Sequence, residues 1–343
     1  MNKSINKILI RASNWLGDNI LTMPAVFALR KKFPNAHIAV MIKKSMADVW
    51  NMTSVDEVIP FNFRKGIGGL IDRWNFAKNL KNKEFDVAVI LPNSFDSALI
   101  PALAKIPERV GWATDGRSFM LTKAIPKPKE LKNQPQFQHY IYLIEKWLDK
   151  KIDADENIRL TIPPKTEEKI SPIISGKKII GLNPGSTYGS AKRWLPERYA
   201  ELAVRLEKEK GVEIIIFGGP GDEKVCNKVF EKIIQKNSST GQCCKNLAGK
   251  TSIIELSALL KKCACLVTND TGAMHISAAV ATPVVAIYGP TDWSSTPPLG
   301  TGHKLIKTKV DCAPCFKRTC YGNHCCMKTI SVDEVYNVIA ELI

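Results

Sequence analysis

The chain has 343 residues, of which 45% are hydrophobic and 24% are charged, a composition typical of globular proteins rather than disordered or fibrous ones. Because one hydrophobic core seldom organises more than about 250–300 residues, the length predicts two domains. Lys and Arg number 49 against 33 Asp and Glu, so the net charge is +16 and favours phosphates, acidic glycolipids or nucleic acid as partners.

The N-terminal segment, residues 1–21, has no uninterrupted apolar run, because Arg11, Asn14 and Asp18 lie within it. A signal peptide is therefore not expected. No run in the chain reaches the roughly 18 apolar residues of a membrane span. These observations predict a cytoplasmic protein, in which ten cysteines favour reduced thiols or a metal site over disulfides.

Short apolar runs alternate with helical segments along the chain, which predicts β-α-β units and parallel sheets. The predicted strands are 7–12, 37–42, 57–61, 86–92, 177–185, 212–219, 263–270 and 282–289. The predicted helices are 19–33, 196–210, 222–236, 252–262, 272–281 and 331–342. The last helix opens at Ser331 with Glu334 three residues later, the spacing of a capping box.

A stretch rich in Pro and charge, residues 160–178, is typical of a linker and divides the chain. We therefore expect an α/β protein of two doubly wound, Rossmann-like domains, 1–165 and 166–330. The remaining C-terminal helix, 331–343, could pack back on the N-terminal domain. Ligands of such a protein are expected in a cleft between the carboxyl ends of the two sheets.

The first candidate position is Asp18, in the loop SNWLGD (13–18) that follows the first strand. A carboxylate at the carboxyl end of the sheet could accept a proton from a substrate hydroxyl. Asp is also a common helix cap, so the position alone does not separate a general base from a cap.

The second candidate is the loop NPGSTYGSAKRW (183–194). Small and hydroxylated residues, including Ser186 and Thr187, would let the backbone approach a phosphate, and Lys192 would neutralise its charge. The alternative is a plain Gly-Ser turn followed by a solvated Lys-Arg pair. Trp194 is expected to pack rather than to stack on a ligand.

The third and most specific candidate is TNDTGAMHISAA (268–279), in which a strand ends at Asn269-Asp270 and a helix follows. The helix N-terminus favours an anion, so Thr271, Gly272 and His275 could converge on one diphosphate. The alternative for His275 is a packed helix residue. A second Asp-Thr-Gly, which an aspartic protease would need, does not occur.

Three other motifs are weaker. GGPGD (218–222) lacks the spacing of a dinucleotide fingerprint, and AGKT (248–251) lacks the first glycine of a P-loop. The segment CAPCFKRTCYGNHCC (312–326) has one cysteine pair at zinc spacing but no second such pair, which favours a cysteine-rich loop without metal over a zinc site.

Three segments together resemble the ADP-heptose:lipopolysaccharide heptosyltransferases of glycosyltransferase family nine, and most closely their heptosyltransferase II branch. They are ILIRASNWLGD, PGSTYGSAKRW and VTNDTGAMHISAAVATPVVAIYGPTDWSSTPPL, with the CAPCFKRTC tail. The resemblance spans nearly the whole chain. It implies a GT-B fold and an inverting displacement from a nucleotide sugar, with no metal and no cofactor.

The resemblance also implies residue roles. Asp18 is the general base, and Lys192 stabilises the leaving diphosphate. Donor-binding positions are Ser186, Thr187, Lys192, Asp222, Thr251, Asp270, Thr271, Gly272 and His275. Asp222 or Glu223 would replace a Glu that contacts the ribose in related enzymes.

The implied donor is ADP-heptose, and the implied acceptor is the anionic heptosyl-Kdo-lipid A inner core of lipopolysaccharide. The basic chain would contact the cytoplasmic face of the inner membrane peripherally. Three alternatives stay open: another family-nine heptosyltransferase, a GT-B sugar-nucleotide epimerase, and a non-catalytic binder of polyanions. Nucleic acid is not the expected partner, because no aromatic-interleaved basic motif is present.

Overall fold

The computed structural model describes residues 5–237, 240–241 and 243–343. The chain divides into two compact units, one that extends to Ile158 and one from Arg159 to Ile343. No helix in the described ranges is both long and apolar enough to cross a membrane.

The first unit contains one parallel sheet of six strands with helices between them. The strands are β1 (Lys7–Arg11), β2 (His37–Lys43), β3 (Glu57–Phe61), β4 (Val87–Ile90), β5 (Glu108–Trp112) and β6 (Lys123–Ile125). The helices are α1 (Leu16–Lys32), α2 (Ala47–Asn51), α3 (Gly66–Lys81), α4 (Phe95–Leu103) and α5 (Gln136–Leu148). The strand order is β3-β2-β1-β4-β5-β6.

This order makes β1 the strand at which the strand order reverses. After β1 the chain first builds outward through β2 and β3, and then returns to add β4 on the other side of β1. β1 and β4 carry apolar side chains on both faces, because a parallel sheet is covered on both faces. Loops at such a switch point are the usual ligand-binding positions of open α/β sheets.

The second unit repeats this architecture. Its strands are β7 (Ile179–Asn183), β8 (Glu213–Ile216), β9 (Cys244–Asn246), β10 (Cys263–Asn269), β11 (Val284–Tyr288) and β12 (Lys304–Lys307). The helices are α6 (Pro164–Ile170), α7 (Pro196–Lys210), α8 (Glu223–Lys236), α9 (Ile253–Lys262), α10 (Gly272–Ala279), α11 (Cys325–Lys328) and α12 (Val332–Ala340). The order is β12-β11-β10-β7-β8-β9, all parallel, so β7 and β10 are central.

The prediction of two doubly wound domains is confirmed, and so are the eight predicted strands. Four strands were not predicted: β5, β6, β9 and β12. Each is short or carries charged residues, as in the sequences ERVGW, KAI, CKN and KLIK, so none has the continuous apolar run that marks a buried parallel strand.

Residues 160–178, predicted as a linker, include helix α6, which packs against α9 within the second unit. The Pro-rich composition misled here because Pro is well tolerated in the first turn of a helix, where Pro164 lies. At the other end, Ser331 accepts a hydrogen bond from the Glu334 amide at 3.1 Å, and α12 packs on α7 and β11.

Candidate active site

Asp18 lies in the first turn of α1, immediately after the switch-point strand β1. The Ser13 hydroxyl donates to Asp18 Oδ2 at 3.0 Å. The helix cap is Trp15, two residues before Gly17, and no side chain caps the helix there. Asp18 is therefore not the N-cap of α1, which was the alternative to a general base. Its partly exposed carboxylate still benefits from the helix dipole, which favours a negative charge in the first turn.

Two residues around the loop show how charge is distributed near Asp18. The guanidinium of Arg11 is buried, which lowers its pKa to about 10, and it lies 4.7 Å from the centre of the Phe61 ring. On α5, burial and, to a lesser degree, the charge of Asp18 raise the pKa of Tyr140 well above its usual value. Asp18 is thus a carboxylate whose field reaches a buried phenol, and this phenol stays neutral.

In the second unit, Lys192 and Asp270 form a buried ion pair. Lys192 Nζ lies 2.5 Å from Asp270 Oδ2, and the two side chains are 11% and 7% exposed. The hydroxyl of Thr291 donates to the same oxygen at 2.8 Å. Lys192 Nζ also lies 4.6 Å from the centre of the Tyr188 ring. Asp270 therefore holds the lysine in place. The ammonium group has three N–H donors, so it can also donate a hydrogen bond to a diphosphate oxygen.

The pair joins two loops that the sequence separates by 78 residues. Lys192 follows β7, and Asp270 follows β10, which is the neighbour of β7 in the sheet. Because the carboxyl ends of parallel strands meet at one edge, the fold places these loops side by side. The structure thus brings these two predicted residues together, and their role in one donor site stays a prediction.

Thr271 occupies the cap position of α10, but its hydroxyl does not cap the helix. The Asn183 amide donates to Thr271 Oγ1 at 3.0 Å, and the Thr268 hydroxyl lies 3.2 Å away. The Met274 amide donates to the Thr271 carbonyl at 3.2 Å, but the first amides of a helix have no partner within it, so those of Gly272 and Ala273 can serve an anion.

His275 is buried in α10, with 3% of its surface exposed, and its Nδ1 atom has no hydrogen-bond partner. Burial is the main reason why its pKa falls to about 4, while the nearby Asp270 charge opposes the shift. The imidazole is therefore neutral at physiological pH and contributes no positive charge to a diphosphate. Its predicted role as a donor contact stays a prediction.

Asp222 braces the loop after β7 from the cap position of α8, the helix that follows the adjacent strand β8. Its Oδ1 atom accepts a hydrogen bond from the Ser186 amide at 3.1 Å and pairs with Arg193 Nη2 at 3.3 Å. A Cβ on Gly185 would approach the Asp222 carboxyl to 2.3 Å, so a larger residue there would displace this carboxyl. The structure gives Asp222 a bracing role that the sequence did not indicate, while Glu223 accepts from the Gly221 amide at 2.6 Å.

The remaining predicted positions lie along the same edge. Thr187 is exposed at the tip of the loop after β7, whereas Ser186 is buried and its hydroxyl lacks a partner. Thr251 follows β9 and directly precedes Ser252, which caps α9 in a full capping box with Glu255. The donor-binding positions predicted in the second unit thus follow four consecutive strands, β10, β7, β8 and β9.

Comparison with known proteins identifies the family. The model of glycosyltransferase family 9 (heptosyltransferase) matches residues 73–325, most of the chain. The chain belongs to this family. Lipooligosaccharide heptosyltransferase 2 of Haemophilus influenzae is 34% identical over 311 residues, and lipopolysaccharide heptosyltransferase 2 of Salmonella typhimurium is 31% identical over 324 residues. Each alignment covers 88% of this chain and 88% of the relative.

The solved structure of the ADP-heptose lipopolysaccharide heptosyltransferase II of Escherichia coli is 29% identical, with a TM-score of 0.84 over 98% of both chains. The predicted GT-B fold is confirmed by this likeness. Family membership also makes the chain a glycosyltransferase, so the epimerase and the non-catalytic polyanion binder are set aside as its function.

Sequence reasoning missed Asn269, which holds the loop after β7 against the end of β10. Its Nδ2 atom donates to the carbonyls of Pro184 and Gly185 at 3.0 and 3.1 Å. Its Oδ1 atom accepts from the Trp194 amide at 2.9 Å and from the Tyr199 hydroxyl at 3.2 Å. A fully buried side-chain amide with four hydrogen-bond partners fixes the loop. The sequence signal that could have revealed this role is a polar Asn at the end of an otherwise apolar strand.

The cysteine-rich segment 312–326 contacts the loop that carries Lys192. The Ala191 amide donates to the Arg318 carbonyl at 3.0 Å, and His324 Nε2 lies 2.8 Å from the Ala191 carbonyl. All ten cysteines are free thiols, and within the segment Cys312 Sγ lies 3.6 Å from Cys325 Sγ. Among the described residues, no three His, Cys, Asp or Glu side chains are grouped as metal ligands.

Trp194 packs in the core, as predicted. It is fully buried, and its indole Nε1 donates to the Ile330 carbonyl at 3.1 Å. Its ring meets Tyr199 edge to face at 5.0 Å, so this tryptophan anchors the end of the loop after β7 to α7.

Proposed function

We propose that this chain transfers heptose from ADP-heptose to the heptosyl-Kdo-lipid A inner core of lipopolysaccharide, with inversion at the anomeric carbon. The observation that carries the proposal is the buried Lys192–Asp270 pair beside the N-terminus of α10. The Lys192 ammonium and the N-terminus of α10 are two fixed positive groups at one sheet edge, and they suit a nucleoside diphosphate leaving group. The relatives named as heptosyltransferase 2 supply the sugar and the acceptor class.

Asp18 is the general base in this proposal. Its carboxylate accepts a hydrogen bond from Ser13 and lies in a first helical turn, where the helix dipole favours a negative charge. It takes the proton of the acceptor hydroxyl while that oxygen bonds to the anomeric carbon. The bond from this carbon to the diphosphate oxygen breaks on the opposite face, and ADP leaves.

Lys192 and the amides of α10 stabilise the negative charge that grows on the departing diphosphate. Because Asp270 already positions the ammonium, and Thr291 donates to the same Asp270 oxygen, little reorganisation is needed when the charge develops. Ser186, Thr187, Asp222, Thr251, Thr271, Gly272 and His275 complete the donor site in this proposal. No cofactor takes part in it.

The acceptor is anchored in a membrane, so we place the enzyme at the cytoplasmic face of the inner membrane as a peripheral protein. The excess of Lys and Arg over Asp and Glu, 49 against 33, supports contact with the anionic surface.

The experiment is an ADP-release assay with ADP-heptose and heptosyl-Kdo-lipid A, followed by NMR of the product. We expect ADP release only when the acceptor is present, and a new heptose linkage of inverted configuration. ADP release without product, or transfer that prefers an acceptor lacking the first heptose, would overturn the assignment in favour of hydrolysis or of another member of the family.

A further inference from the structure

Helix α3 of the first unit is apolar on two opposite sides. Its inner side is formed by Gly69, Ala77 and Leu80, which are buried. Its outer side carries four large apolar side chains at spacing i, i+3, i+4 and i+7. They are Ile67, Leu70, Ile71 and Trp74, and they are 78%, 63%, 52% and 62% exposed.

This outer stripe cannot be attributed to core packing, because more than half of each side chain is in contact with solvent. A surface helix of a globular protein normally presents charged and polar residues outward. A contiguous exposed apolar stripe on such a helix marks a surface that meets a partner or a membrane.

The charges around the stripe are mainly positive. Residues 64–83 contain six Lys or Arg and one acidic residue, Asp72. Asp72 is held by Arg64, whose Nη2 lies 2.7 Å from Asp72 Oδ1. Lys78 and Lys81 follow Trp74 by four and seven residues, so they continue the stripe along the same side of the helix, and both are exposed.

Two further exposed aromatic residues lie near the start of α4. Phe95 and Phe119 are 41% and 75% exposed, and their ring centres are 6.0 Å apart. Arg73 of α3 pairs with Asp96 at 2.9 Å, which ties the stripe-bearing helix to the same part of the unit. Trp and Phe beside aliphatic residues and lysines form the composition of a helix that lies in a membrane interface.

We propose that the outer side of α3, together with Phe95 and Phe119, docks this protein on an anionic phospholipid bilayer. The inference rests on the proposed function, in which the acceptor is embedded in such a bilayer. α3 begins after the carboxyl end of β3, and Asp18 follows the carboxyl end of β1 in the same parallel sheet. The start of α3 therefore lies at the same edge of the sheet as the loop that precedes Asp18.

A second copy of the chain fits this surface less well than a bilayer. In a two-fold symmetric dimer the same surface meets itself, so Lys78 and Lys81 of one copy would face the same cationic region of the other. Like charges at an interface oppose association. An anionic bilayer matches both the apolar stripe and the lysines, whose long side chains can reach the headgroups.

The test is flotation of the full chain with phosphatidylcholine vesicles that contain about 30 mole per cent phosphatidylglycerol, a strongly anionic surface. Vesicles of phosphatidylcholine alone are the uncharged reference. The stripe variant is Ile67→Ser, Leu70→Ser, Ile71→Ser and Trp74→Ser combined. A matched control is Ile234→Ser with Phe316→Ser, which removes exposed apolar residues of the second unit.

We expect the parent and the control to float with the anionic vesicles, and the stripe variant to lose about tenfold or more of its partition. Lys78→Gln with Lys81→Gln should lower the partition by about fivefold per lysine and reduce its dependence on salt. Circular dichroism should show all variants folded, because the replaced side chains are exposed. Unchanged flotation of the stripe variant would overturn the docking surface.

A second assay separates this inference from the proposed function. Transfer to a deacylated, water-soluble acceptor should be equal in the parent and the stripe variant, whereas transfer to acceptor in vesicles should fall with the partition. Failure of the parent on both acceptors would overturn the proposed function and leave the flotation result standing. A parent that sediments as a dimer, with a monomeric stripe variant that still floats, would assign the stripe to a second copy.

Discussion

Asp18 and Asp270 are both carboxylates that follow a central strand of a parallel sheet, yet their surroundings differ. Asp18 is partly exposed and accepts a hydrogen bond from a serine hydroxyl. Asp270 is buried and pairs with Lys192 while Thr291 donates to the same oxygen. The ion pair with Lys192 occupies the carboxylate of Asp270, whereas the carboxylate of Asp18 can be reached from solvent. Position after a strand thus does not decide the role of a carboxylate, and its partners do.

The largest expected effect tests the Asp18 side of this comparison. Asp18→Asn should lower kcat by about 10²–10⁴, because the acceptor hydroxyl loses its base. ADP binding, measured by calorimetry, should stay within about threefold, since a base acts on the acceptor and not on the nucleotide. Near-normal turnover with a lowered Tm would instead mean that Asp18 serves the stability of α1.

The next effect tests the Asp270 side. Lys192→Ala should lower kcat by about 10²–10³ and weaken donor binding, because the growing charge on the diphosphate loses its cation. The variant also leaves a buried carboxylate without its partner, which alone costs stability.

The double variant Lys192→Ala with Asp270→Asn is the matched control, since it removes both charges. It should recover much of the Tm lost in the single variant but none of the activity. Recovery of activity in the double variant, or unchanged donor KM and kcat in the single variant, would remove Lys192 from the site.

A smaller effect concerns the pH dependence of stability. The pKa of His275 is lowered to about 4 in the folded chain from an ordinary 6.5. Between these values the unfolded state binds the proton and the folded state does not, so stability falls as the pH drops from about 6.5 to 4. The full difference is about 3 kcal/mol of unfolding free energy, because one pKa unit is about 1.36 kcal/mol.

His275→Gln should flatten this pH dependence, as measured by urea unfolding at pH 6.5, 5.5 and 4.5. The parent chain is the reference, because its other titrating groups are unchanged in the variant. Equal slopes for parent and variant would mean that His275 binds its proton in the folded state.

The smallest expected effect is none at all. After exhaustive chelation with EDTA we expect full transferase activity, because Lys192 and the start of α10 are proposed to serve the leaving group without an ion. Elemental analysis should find no stoichiometric zinc in the segment 312–326. Activity that falls on chelation and returns with magnesium would contradict the leaving-group role of Lys192, and one zinc per chain would make the cysteines a structural site.

Asp153-Ala154-Asp155 is the one Asp-x-Asp triplet in the sequence that could hold a divalent ion on a diphosphate. Lys31 lies 2.9 Å from Asp153 Oδ2, and Asp155 Oδ1 accepts from the Asn157 amide at 2.8 Å. The triplet follows α5 rather than a strand of the sheet. Its position gives no reason to expect metal-dependent transfer.

The sequence by itself determined the fold class and the strands with continuous apolar runs, because burial on both faces requires apolar residues throughout. It also indicated the loops that carry Asp18, Lys192 and Asp270, since loops after parallel strands share one edge. Strands such as β9, with the sequence CKN, could not be predicted, because their pairing comes from a neighbour already in place.

Only the tertiary structure decided which side chains meet. The sequence does not contain the distance between Lys192 and Asp270, nor the use of Asp222 to brace Ser186, nor the burial that keeps His275 neutral. Each depends on residues brought together from distant parts of the chain. Periodicity and motifs report on local backbone and burial, whereas the charge and hydrogen-bonding state of a side chain depends on what surrounds it in three dimensions.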